Sequence, residues 1–350
     1  MTVGQVPPDR HPPLQPGWID RPHEHLALGD FALESGEVIR DFSLSYVVHG
    51  RIAPTRDNVV LALSAIGSTH HRLDAWIGPG RALDTDRLCV VAVDAIGNGL
   101  TTSPSTSATQ PLLAFPRFAI RDMVESQRRL VADLGIGRLA AVVGASMGGM
   151  QALQWGVSHP DAMAAIVAMV PMARTTPWSV AVNEASRRAL MADPAWPAGE
   201  LTEGWAAWCA VMQVLAGRTP AALARQFARP SDVPAFIAAR AAQQRAGGVH
   251  AVDWVWQTRA YDAHDVGTTP GVAGGTTAAL GRIRARTLIL GAPLDLYNPV
   301  EEARAAAAAI PGARYAEIPS IEGHQAASGG RPDDAEAINR AIAALLAEGG

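Results

Sequence analysis

The segment Gly144 to Gly148, which reads GASMG, could hold a serine nucleophile for acyl transfer. It matches G-x-S-x-G and stands directly between a short apolar run, typical of a buried strand, and a stretch typical of a helix. Glycine at both flanks favours a turn so tight that larger side chains would clash, and such a turn lifts the hydroxyl of Ser146 above a sheet. The backbone N–H of Met147 could then face a developing oxyanion.

A serine nucleophile needs a general base, and His324 has the placement for that role. It follows a strand predicted at residues 314–318, so a loop could carry its imidazole over the sheet. Asp295 stands just beyond another predicted strand, at residues 286–291, where its carboxylate could fix the imidazole tautomer and stabilise the imidazolium. Two alternatives stay open: Asp94, after an earlier strand, could be the acid, and His324 could be a solvated loop histidine.

A second oxyanion donor is expected from the loop Ser64 to His70, which follows the strand predicted at residues 58–63. We expect the backbone N–H of Ala65 or Ile66 to serve, unless the loop only closes the pocket floor. The pair of adjacent histidines at the end of this loop could suggest a metal, but no carboxylate or thiolate stands directly beside them, so no metal is expected. They are instead interpreted as polar groups of the surface or pocket, and His70 is a candidate for the substrate pocket.

Short runs of branched apolar residues alternate with helical patterns along most of the chain. The apolar runs, typical of buried strands, occupy residues 58–63, 87–93, 140–144, 164–170, 286–291 and 314–318. The helical patterns occupy residues 120–134, 147–158, 299–310 and 332–346. Two segments with alternating apolar residues are typical of an antiparallel edge hairpin, residues 25–35 and 41–49. This order predicts an α/β fold with a mostly parallel twisted sheet flanked by helices.

The alternation stops between residues 175 and 278, where Ala-rich helical stretches are broken by Pro and Gly. We therefore predict an all-helical cap, or lid, inserted into a core made of residues 18–174 and 279–350, after a Pro-rich lead-in over residues 1–17. Six of the nine tryptophans fall in the cap, where their rings could pack the helices or line an apolar acyl pocket. Trp254 and Trp256 are pocket candidates, of which a helix would turn at most one toward the pocket.

Composition and charge favour a globular enzyme that acts on a small molecule. Hydrophobic residues form 48% and charged residues 18% of the 350 residues, and the net charge of −4 has no acidic or basic block behind it. Neither nucleic acid nor a membrane surface is therefore an expected partner. Cys89 and Cys209 give neither a disulfide framework nor metal-ligand spacing. A cytoplasmic location is expected, because no signal-peptide pattern or bilayer-length apolar run is visible.

The sequence resembles the homoserine O-acetyltransferase family of α/β hydrolases from about residue 17 to the C-terminal helix. The residues that carry the resemblance are 76–85 (WIGPGRALDT), 120–124 (IRDMV), 144–155 (GASMGGMQALQW), and Asp295 with Gly323-His324. The resemblance implies the α/β-hydrolase fold, a catalytic triad of Ser146, Asp295 and His324, and a homodimer formed through a helical cap.

The chain departs from this family where a homoserine enzyme would recognise its substrate. The family's acetyltransferases carry H-A-L-T-G after the third strand, where this chain has Ser64 to Ser68 (SAIGS). They carry G-H-D-A-F around the histidine, where this chain has Gly323 to Ala327 (GHQAA), and the missing aspartate is the expected partner of the substrate amino group. Residues 97–105 (GNGLTTSPS), 295–297 (DLY) and 318–321 (IPSI) are instead similar to the branch that includes carboxylic ester hydrolases.

Three hypotheses of function follow from these residues. In the leading one, Ser146 takes a short acyl group from a small carboxylic ester, and water activated by His324 releases the acid. In the second, the acyl group passes from an acyl-CoA to a hydroxyl of a small metabolite, so that acyl-CoA is a co-substrate; no other cofactor is expected. In the third, the chain is a non-catalytic binding protein built on the same fold.

Overall fold

The computed structural model describes residues 11–348, so residues 1–10 of the predicted lead-in and residues 349–350 lie outside it. A single eight-stranded sheet forms the centre of this part of the chain. Its strands are, in chain order, β1 (His23–Ala32), β2 (Val38–His49), β3 (Val59–Leu63), β4 (Cys89–Val93), β5 (Ala141–Ala145), β6 (Ala165–Met169), β7 (Arg286–Gly291) and β8 (Arg314–Glu317).

The strands lie side by side in the order β1-β2-β4-β3-β5-β6-β7-β8. β1 pairs with β2, and β2 with β4, in antiparallel fashion, whereas the neighbouring strands from β4 to β8 are all parallel. The predicted mostly parallel sheet with an antiparallel hairpin at one edge is therefore confirmed. Because parallel strands end at the same edge of a sheet, the loops after β3, β5, β7 and β8 meet on one side.

Ten α-helices lie within residues 11–348, and none of them has the length and apolar character needed to cross a membrane. They are α1 (Ile120–Asp133), α2 (Met147–Ser158), α3 (Pro177–Met191), α4 (Glu203–Leu215), α5 (Pro220–Gln226), α6 (Val233–Ala246), α7 (Ala251–Asp262), α8 (Gly275–Leu280), α9 (Val300–Ala309) and α10 (Pro332–Ala347). The helices predicted from periodicity correspond to α1, α2, α9 and α10, with ends that differ by one residue or less.

Every residue of β3, β4, β5 and β6 is buried, because helices cover both faces of the sheet. Side chains on one face pack with Trp155 of α2, and those on the other face pack with Trp76 and with Ile338 of α10. This burial explains why these strands read as continuous apolar runs rather than as alternating patterns. It also fixes the positions at which the following loops begin at the carboxyl edge of the sheet.

Six helices, α3 to α8, separate β6 from β7 along the chain, in the stretch where the sequence suggests a helical cap. α3 packs on α4 and α7, and α4 packs on α6. α8 differs from its neighbours because it packs on α2 and α9, which flank the sheet. The helices that can cover the carboxyl edge of the sheet are therefore α3 to α7.

Candidate active site

Ser146 occupies a strained turn between β5 and α2. Its backbone has φ of 57° and ψ of −123°, a conformation that residues other than glycine rarely adopt. The strain is tolerated because the flanking glycines allow a very close approach of backbone segments. A Cβ atom on Gly144 would lie 2.1 Å from the carbonyl oxygen of Gly148, and a Cβ on Gly148 would lie 2.6 Å from that of Leu63. The turn thus presents the Ser146 hydroxyl beyond the end of the strand.

His324 joins Ser146 and Asp295 in a continuous line of hydrogen bonds. Its Nε2 lies 2.8 Å from the Oγ of Ser146, and its Nδ1 lies 2.7 Å from Oδ2 of Asp295. With Nδ1 donating to the carboxylate, Nε2 is left to accept the proton of the serine hydroxyl. The three side chains are buried, with exposed fractions of 2% for Ser146, 6% for Asp295 and 8% for His324. The geometry is that of a nucleophile, a general base and an orienting carboxylate.

The second oxygen of Asp295 is held by backbone groups. Its Oδ1 accepts the N–H groups of Tyr297 at 2.8 Å and Asn298 at 2.9 Å, so the carboxylate cannot rotate away from His324. The ring of Tyr297 packs edge-on against the imidazole, with centroids 5.1 Å apart. The hydroxyl of Tyr297 donates to Asn183 of α3. These contacts give His324 a single orientation.

The loop that carries His324 is tied to the helices between β6 and β7. Glu322 forms ion pairs with Arg218, with Arg225 of α5 and with Arg331. The hydroxyl of Thr219 donates to the carbonyl of Ile321. Glu322 stands two residues before His324, so these contacts link α5 to the segment that carries the imidazole.

Asp94, the alternative acid, lies in a different network. Its carboxylate accepts the backbone N–H of His70 at 2.8 Å, the amide of Asn98 at 2.9 Å and the hydroxyl of Ser45 at 2.9 Å. Burial acts to raise the pKa of Asp94, but His70 and these hydrogen bonds outweigh it and hold that pKa at about 2. The carboxylate therefore pairs with His70, and the structure brings Asp295 rather than Asp94 to His324.

The loop after β3 offers one backbone donor to the space beside Ser146. The N–H of Ala65 donates to the Oγ of Ser68 at 2.8 Å, so Ala65, one of the two residues predicted for the oxyanion hole, is engaged elsewhere. Within residues 11–348, no acceptor receives the N–H of Ile66 or of Met147. Gln257 of α7 holds this loop, because its Oε1 accepts the N–H of Gly67 at 2.9 Å. Ile66 and Met147 are thus the pair available to an oxyanion.

A cavity of about 230 Å³ opens above Ser146 and His324. Its lining from the core includes Ala65, Ile66, Arg72, Tyr297 and Gln325, and its lining from the helices between β6 and β7 includes Trp208, Cys209, Met212, Arg240, Gln244 and Trp254. The cavity is small and mixed in character, so it suits a compact ligand with a polar or charged part.

Two of the predicted pocket residues do not line this cavity. Trp254 does, but Trp256 lies on another side of α7, where its indole N–H donates to the carbonyls of Phe115 and Pro116. His70 is directed toward Asp94 and is absent from the lining. The prediction was wrong for Trp256 and His70, because sequence spacing does not show which face of a helix or loop meets the cavity.

Arg72 is a cavity residue that the sequence did not single out. Within residues 11–348 its guanidinium has no carboxylate partner, and its buried Nε has no hydrogen bond. Burial lowers the pKa of Arg72 to about 10, which leaves the group cationic at neutral pH. Arg72 follows closely after the loop predicted to supply an oxyanion donor, and this position is the sequence signal that could have identified it. The second arginine of the cavity, Arg240, lies on α6, and no sequence pattern there indicates it.

The cavity itself has no cluster of metal-ligand side chains among the described residues. The two such clusters in residues 11–348 both include His70 and lie outside the cavity lining.

Comparisons with known proteins agree with the observed fold. The family described as alpha/beta hydrolase fold matches residues 48–322. Homoserine O-acetyltransferase from Symbiobacterium thermophilum is 33% identical over 362 aligned residues, which cover 90% of this chain and 92% of that protein.

Solved structures with a similar fold include two esterases. The acetyl esterase MekB matches with a TM-score of 0.84 and 26% identity, over 93% of this chain and 97% of its own. An acetylester hydrolase from Corynebacterium glutamicum matches with a TM-score of 0.82 and 27% identity, over 93% and 96% of the two chains. Acyl transfer and ester hydrolysis are thus both represented among similar proteins.

Proposed function

The chain belongs to the α/β-hydrolase fold family and to its homoserine O-acetyltransferase-like group, and from that premise we propose that it hydrolyses small carboxylic esters through an acyl-enzyme on Ser146. The observation that carries the proposal is the hydrogen bond between the Ser146 Oγ and the His324 Nε2, with Asp295 behind the imidazole. A hydroxyl in this position loses its proton as it attacks a carbonyl carbon.

The reaction begins when Ser146 Oγ attacks the ester carbonyl and His324 Nε2 takes the hydroxyl proton. The carbonyl oxygen gains negative charge and accepts the N–H groups of Ile66 and Met147. As the C–O bond to the alcohol breaks, His324 returns the proton to the leaving oxygen and the acyl group stays on Ser146. Asp295 stabilises the imidazolium that exists between these two proton transfers.

Release of the acyl group repeats the cycle with water in place of the alcohol. A water molecule gives a proton to His324 while its oxygen attacks the acyl carbon. As the bond between the acyl carbon and the Oγ of Ser146 breaks, His324 returns the proton to that Oγ. The acid leaves and the free serine is restored. Gln325 lines the cavity and is exposed to solvent, which supports access of water to this step.

Two features favour hydrolysis over transfer to homoserine. Gln325 stands where the resemblance leads us to expect an aspartate for the amino group of homoserine, and a neutral amide cannot form that ion pair. The similar solved structures named above are esterases at 26% and 27% identity.

The cationic side of the cavity suggests which esters fit best. Arg72 and Arg240 both line the cavity, and Arg72 has no carboxylate partner within residues 11–348. A half-buried cation without a carboxylate partner favours an anion that can neutralise it. The preferred ester therefore carries a negative group on its acyl or its alcohol part.

The proposal is tested with the purified protein and p-nitrophenyl esters of acetic, butyric and octanoic acids. We expect turnover of the short esters, a sharp decline with the octanoate because the cavity is small, and no turnover above background by Ser146→Ala. A folded wild-type protein that is inert toward these esters and toward the anionic monoethyl ester of succinic acid would contradict the proposal.

A second candidate function is acyl transfer from acyl-CoA to a hydroxyl of a small metabolite. It is favoured by the curated relative named homoserine O-acetyltransferase, with which this chain shares 33% identity. Transfer and hydrolysis share the acyl-enzyme and differ in which hydroxyl attacks it. Incubation with acetyl-CoA and homoserine, scored for O-acetylhomoserine against free acetate, decides between them: an excess of ester product would favour transfer.

A further inference from the structure

Four imidazoles come together beside the loop after β3, and none of them is part of the lining of the catalytic cavity. His70 and His71 open a short 3-10 helix, His70–Trp76, that follows the oxyanion loop. His23 lies on β1, and His11 lies in the segment before it. Ring centroids are 4.1 Å apart for His70 and His71, 4.6 Å for His23 and His70, and 5.1 Å for His11 and His71.

Two of these imidazoles are each oriented by an aspartate. The Nδ1 of His71 lies 2.7 Å from Oδ2 of Asp74, and the Nδ1 of His70 lies 3.1 Å from Oδ2 of Asp94. Because a carboxylate accepts, each Nδ1 carries the proton, and each Nε2 presents a lone pair. Metal-binding histidines show this arrangement, in which a carboxylate on one ring nitrogen fixes the other nitrogen toward the ion.

The nitrogen atoms lie close together, and that of His70 has no partner among the described residues. The Nε2 of His70 is buried and has no hydrogen-bond partner within residues 11–348. The Nε2 of His71 lies 3.1 Å from the Nε2 of His11, and one ligand atom from each of the three residues lies within 4.8 Å of the others. In a tetrahedral zinc site, Zn–N bonds of about 2.0–2.1 Å separate two ligand nitrogens by roughly 3.3–3.4 Å.

A proton shared between His11 and His71 would account for that one contact only. It would leave the buried lone pair of His70 unpaired, which is costly in a buried site. One divalent cation would instead satisfy all three nitrogen atoms. Neutral imidazoles are borderline ligands that suit Zn²⁺, whereas Mg²⁺ and Ca²⁺ prefer oxygen ligands.

We propose that His11, His70 and His71 bind one Zn²⁺ ion, with the fourth position taken by water. Asp74 and Asp94 do not ligate the ion but hold the imidazoles that do. The site is separate from the catalytic cavity, since none of the three histidines lines it. The ion would tie the N-terminal segment to the helix that follows the loop after β3.

This site could not be found from the sequence, where the absence of a carboxylate directly beside the adjacent histidines argued against a metal. His11 is 59 positions from His70, and both carboxylates act behind the ligands rather than as ligands. The stacking of Trp18 on His71, with centroids 4.1 Å apart, brings the N-terminal segment back over the cluster.

The test uses the full chain, purified without a polyhistidine tag and stripped of metal with a chelator that is then removed. Zn²⁺ is titrated against a chromophoric chelator to give stoichiometry and affinity. We expect one Zn²⁺ per wild-type chain and a higher melting temperature with Zn²⁺ than without it. His11→Ala should weaken binding by on the order of 100-fold or more, because loss of an orienting group alone costs about 10–100-fold.

His11→Ala is suited to this test because His11 lies outside every strand and helix, so the fold should survive the substitution. His25→Gln is the matched control: this histidine also lies on β1 beside His23, but its Nδ1 contacts Ser43 and it belongs to neither metal-ligand cluster. The control should bind Zn²⁺ as the wild type does. Absence of stoichiometric binding to the wild type, or equal affinity in wild type and His11→Ala, would overturn the proposal.

Discussion

The reactivity of Ser146 depends on the orientation of one imidazole. A serine hydroxyl is a weak nucleophile until a base takes its proton, and His324 can do so only with its own proton on Nδ1. The carboxylate of Asp295 imposes that tautomer, and the backbone N–H groups of Tyr297 and Asn298 in turn hold the carboxylate. Small changes at Asp295 should therefore affect the rate far more than they affect substrate binding.

Replacement of Asp295 by Asn should lower kcat by about 10⁴-fold with little change in KM, because the amide favours the wrong imidazole tautomer. Steady-state kinetics on a short p-nitrophenyl ester measure both constants. Asp94→Asn is the matched control, since Asp94 pairs with His70. This variant should be less stable than the wild type, with a much smaller loss of kcat than Asp295→Asn. A folded Asp94→Asn protein with the larger loss of kcat would show that the acid had been misassigned.

Replacement of Arg72 by Met should raise KM for an anionic ester by about 10-fold, because a charge-assisted hydrogen bond contributes about 1.5–3 kcal/mol. Methionine keeps the length of the side chain and removes the charge. The monoethyl ester of succinic acid and ethyl butyrate form a pair of similar length, of which only the first is charged. Equal changes in KM for both esters would mean that Arg72 does not meet the substrate charge.

The three side chains that the structure joins by hydrogen bonds around His324 were the easiest to predict. Ser146 is marked by a glycine turn whose sterics are local, and Asp295 and His324 are marked by their order after strands. Ala65 and Ile66 could not be separated, because the choice depends on the Oγ of Ser68 accepting one of their N–H groups. Arg72 and Arg240 were missed because long-range packing decides which charged side chains meet a cavity.

At the scale of elements, the loop after β3 is held from both sides of the cavity. Gln151 of α2 donates to the carbonyl of Ser64 at 3.0 Å, and Gln257 of α7 accepts the N–H of Gly67. Gln257 also donates to the carbonyl of Ile96 at 3.1 Å, so it joins two loops of the core. Ile66, which we propose as an oxyanion donor, lies between these fixed points.

Replacement of Gln257 by Leu should lower kcat by roughly 10-fold at nearly constant KM, less than the 10²–10³-fold cost of losing an oxyanion donor outright. Gln257 is a positioning residue, so its loss should act on the transition state more than on binding. Gln154→Leu is the control: this buried glutamine of α2 contacts Ser158 and Thr269 instead of the loop. Similar losses of kcat in the two variants would indicate a general destabilisation of the fold rather than a specific effect on the loop.

Elements were predictable to the extent that burial alone determined them. β3 to β6 are buried on both faces, so a short run of branched apolar residues was enough to predict each of these strands. Of the helices between β6 and β7, α4, α6 and α7 contribute residues to the cavity lining, and α7 is buried along most of its length, so their packing partners could not be predicted from periodicity. Trp256 illustrates this, since its ring turned toward Phe115 rather than toward the cavity.

At the scale of the whole molecule, the helices between β6 and β7 are joined to the core by a buried carboxyl. Asp253 of α7 accepts the backbone N–H of Ser105 at 2.9 Å and also the hydroxyl of that residue. Burial raises the pKa of Asp253 to about 7, and the contacts with Ser105 only partly oppose the shift. The folded chain therefore keeps a proton on this carboxyl that the unfolded chain would have lost.

Stability should fall as pH rises from about 4 to about 7, because over that range the folded state binds one proton more than the unfolded state at Asp253. Above about 7 the carboxyl is charged in both states and this contribution is constant. Asp253→Asn lacks this titration. The free energy of unfolding of the variant minus that of the wild type should therefore increase by on the order of 2–4 kcal/mol between pH of about 4 and about 7. Denaturant unfolding at several pH values measures the difference; a difference independent of pH would contradict the assignment.

Long-range assembly was the part of the fold least accessible from the sequence. Ser105 and Asp253 are far apart in the chain, and the N-terminal segment reaches His71 through Trp18. Neither contact follows a repeating pattern, because each depends on two segments that meet only after the core has formed. Sequence motifs located the residues of the candidate active site, and tertiary contacts determined which side chains surround them.

The most direct test of the central claim is mass spectrometry of the protein quenched during turnover of a short p-nitrophenyl ester. We expect one acyl group on the peptide that contains Ser146, formed early and lost as the ester is consumed, and no adduct in Ser146→Ala. Slow turnover by His324→Ala should accompany slow formation of the same adduct. Full turnover by the wild type with Ser146 unmodified, or an adduct on another residue, would contradict the account.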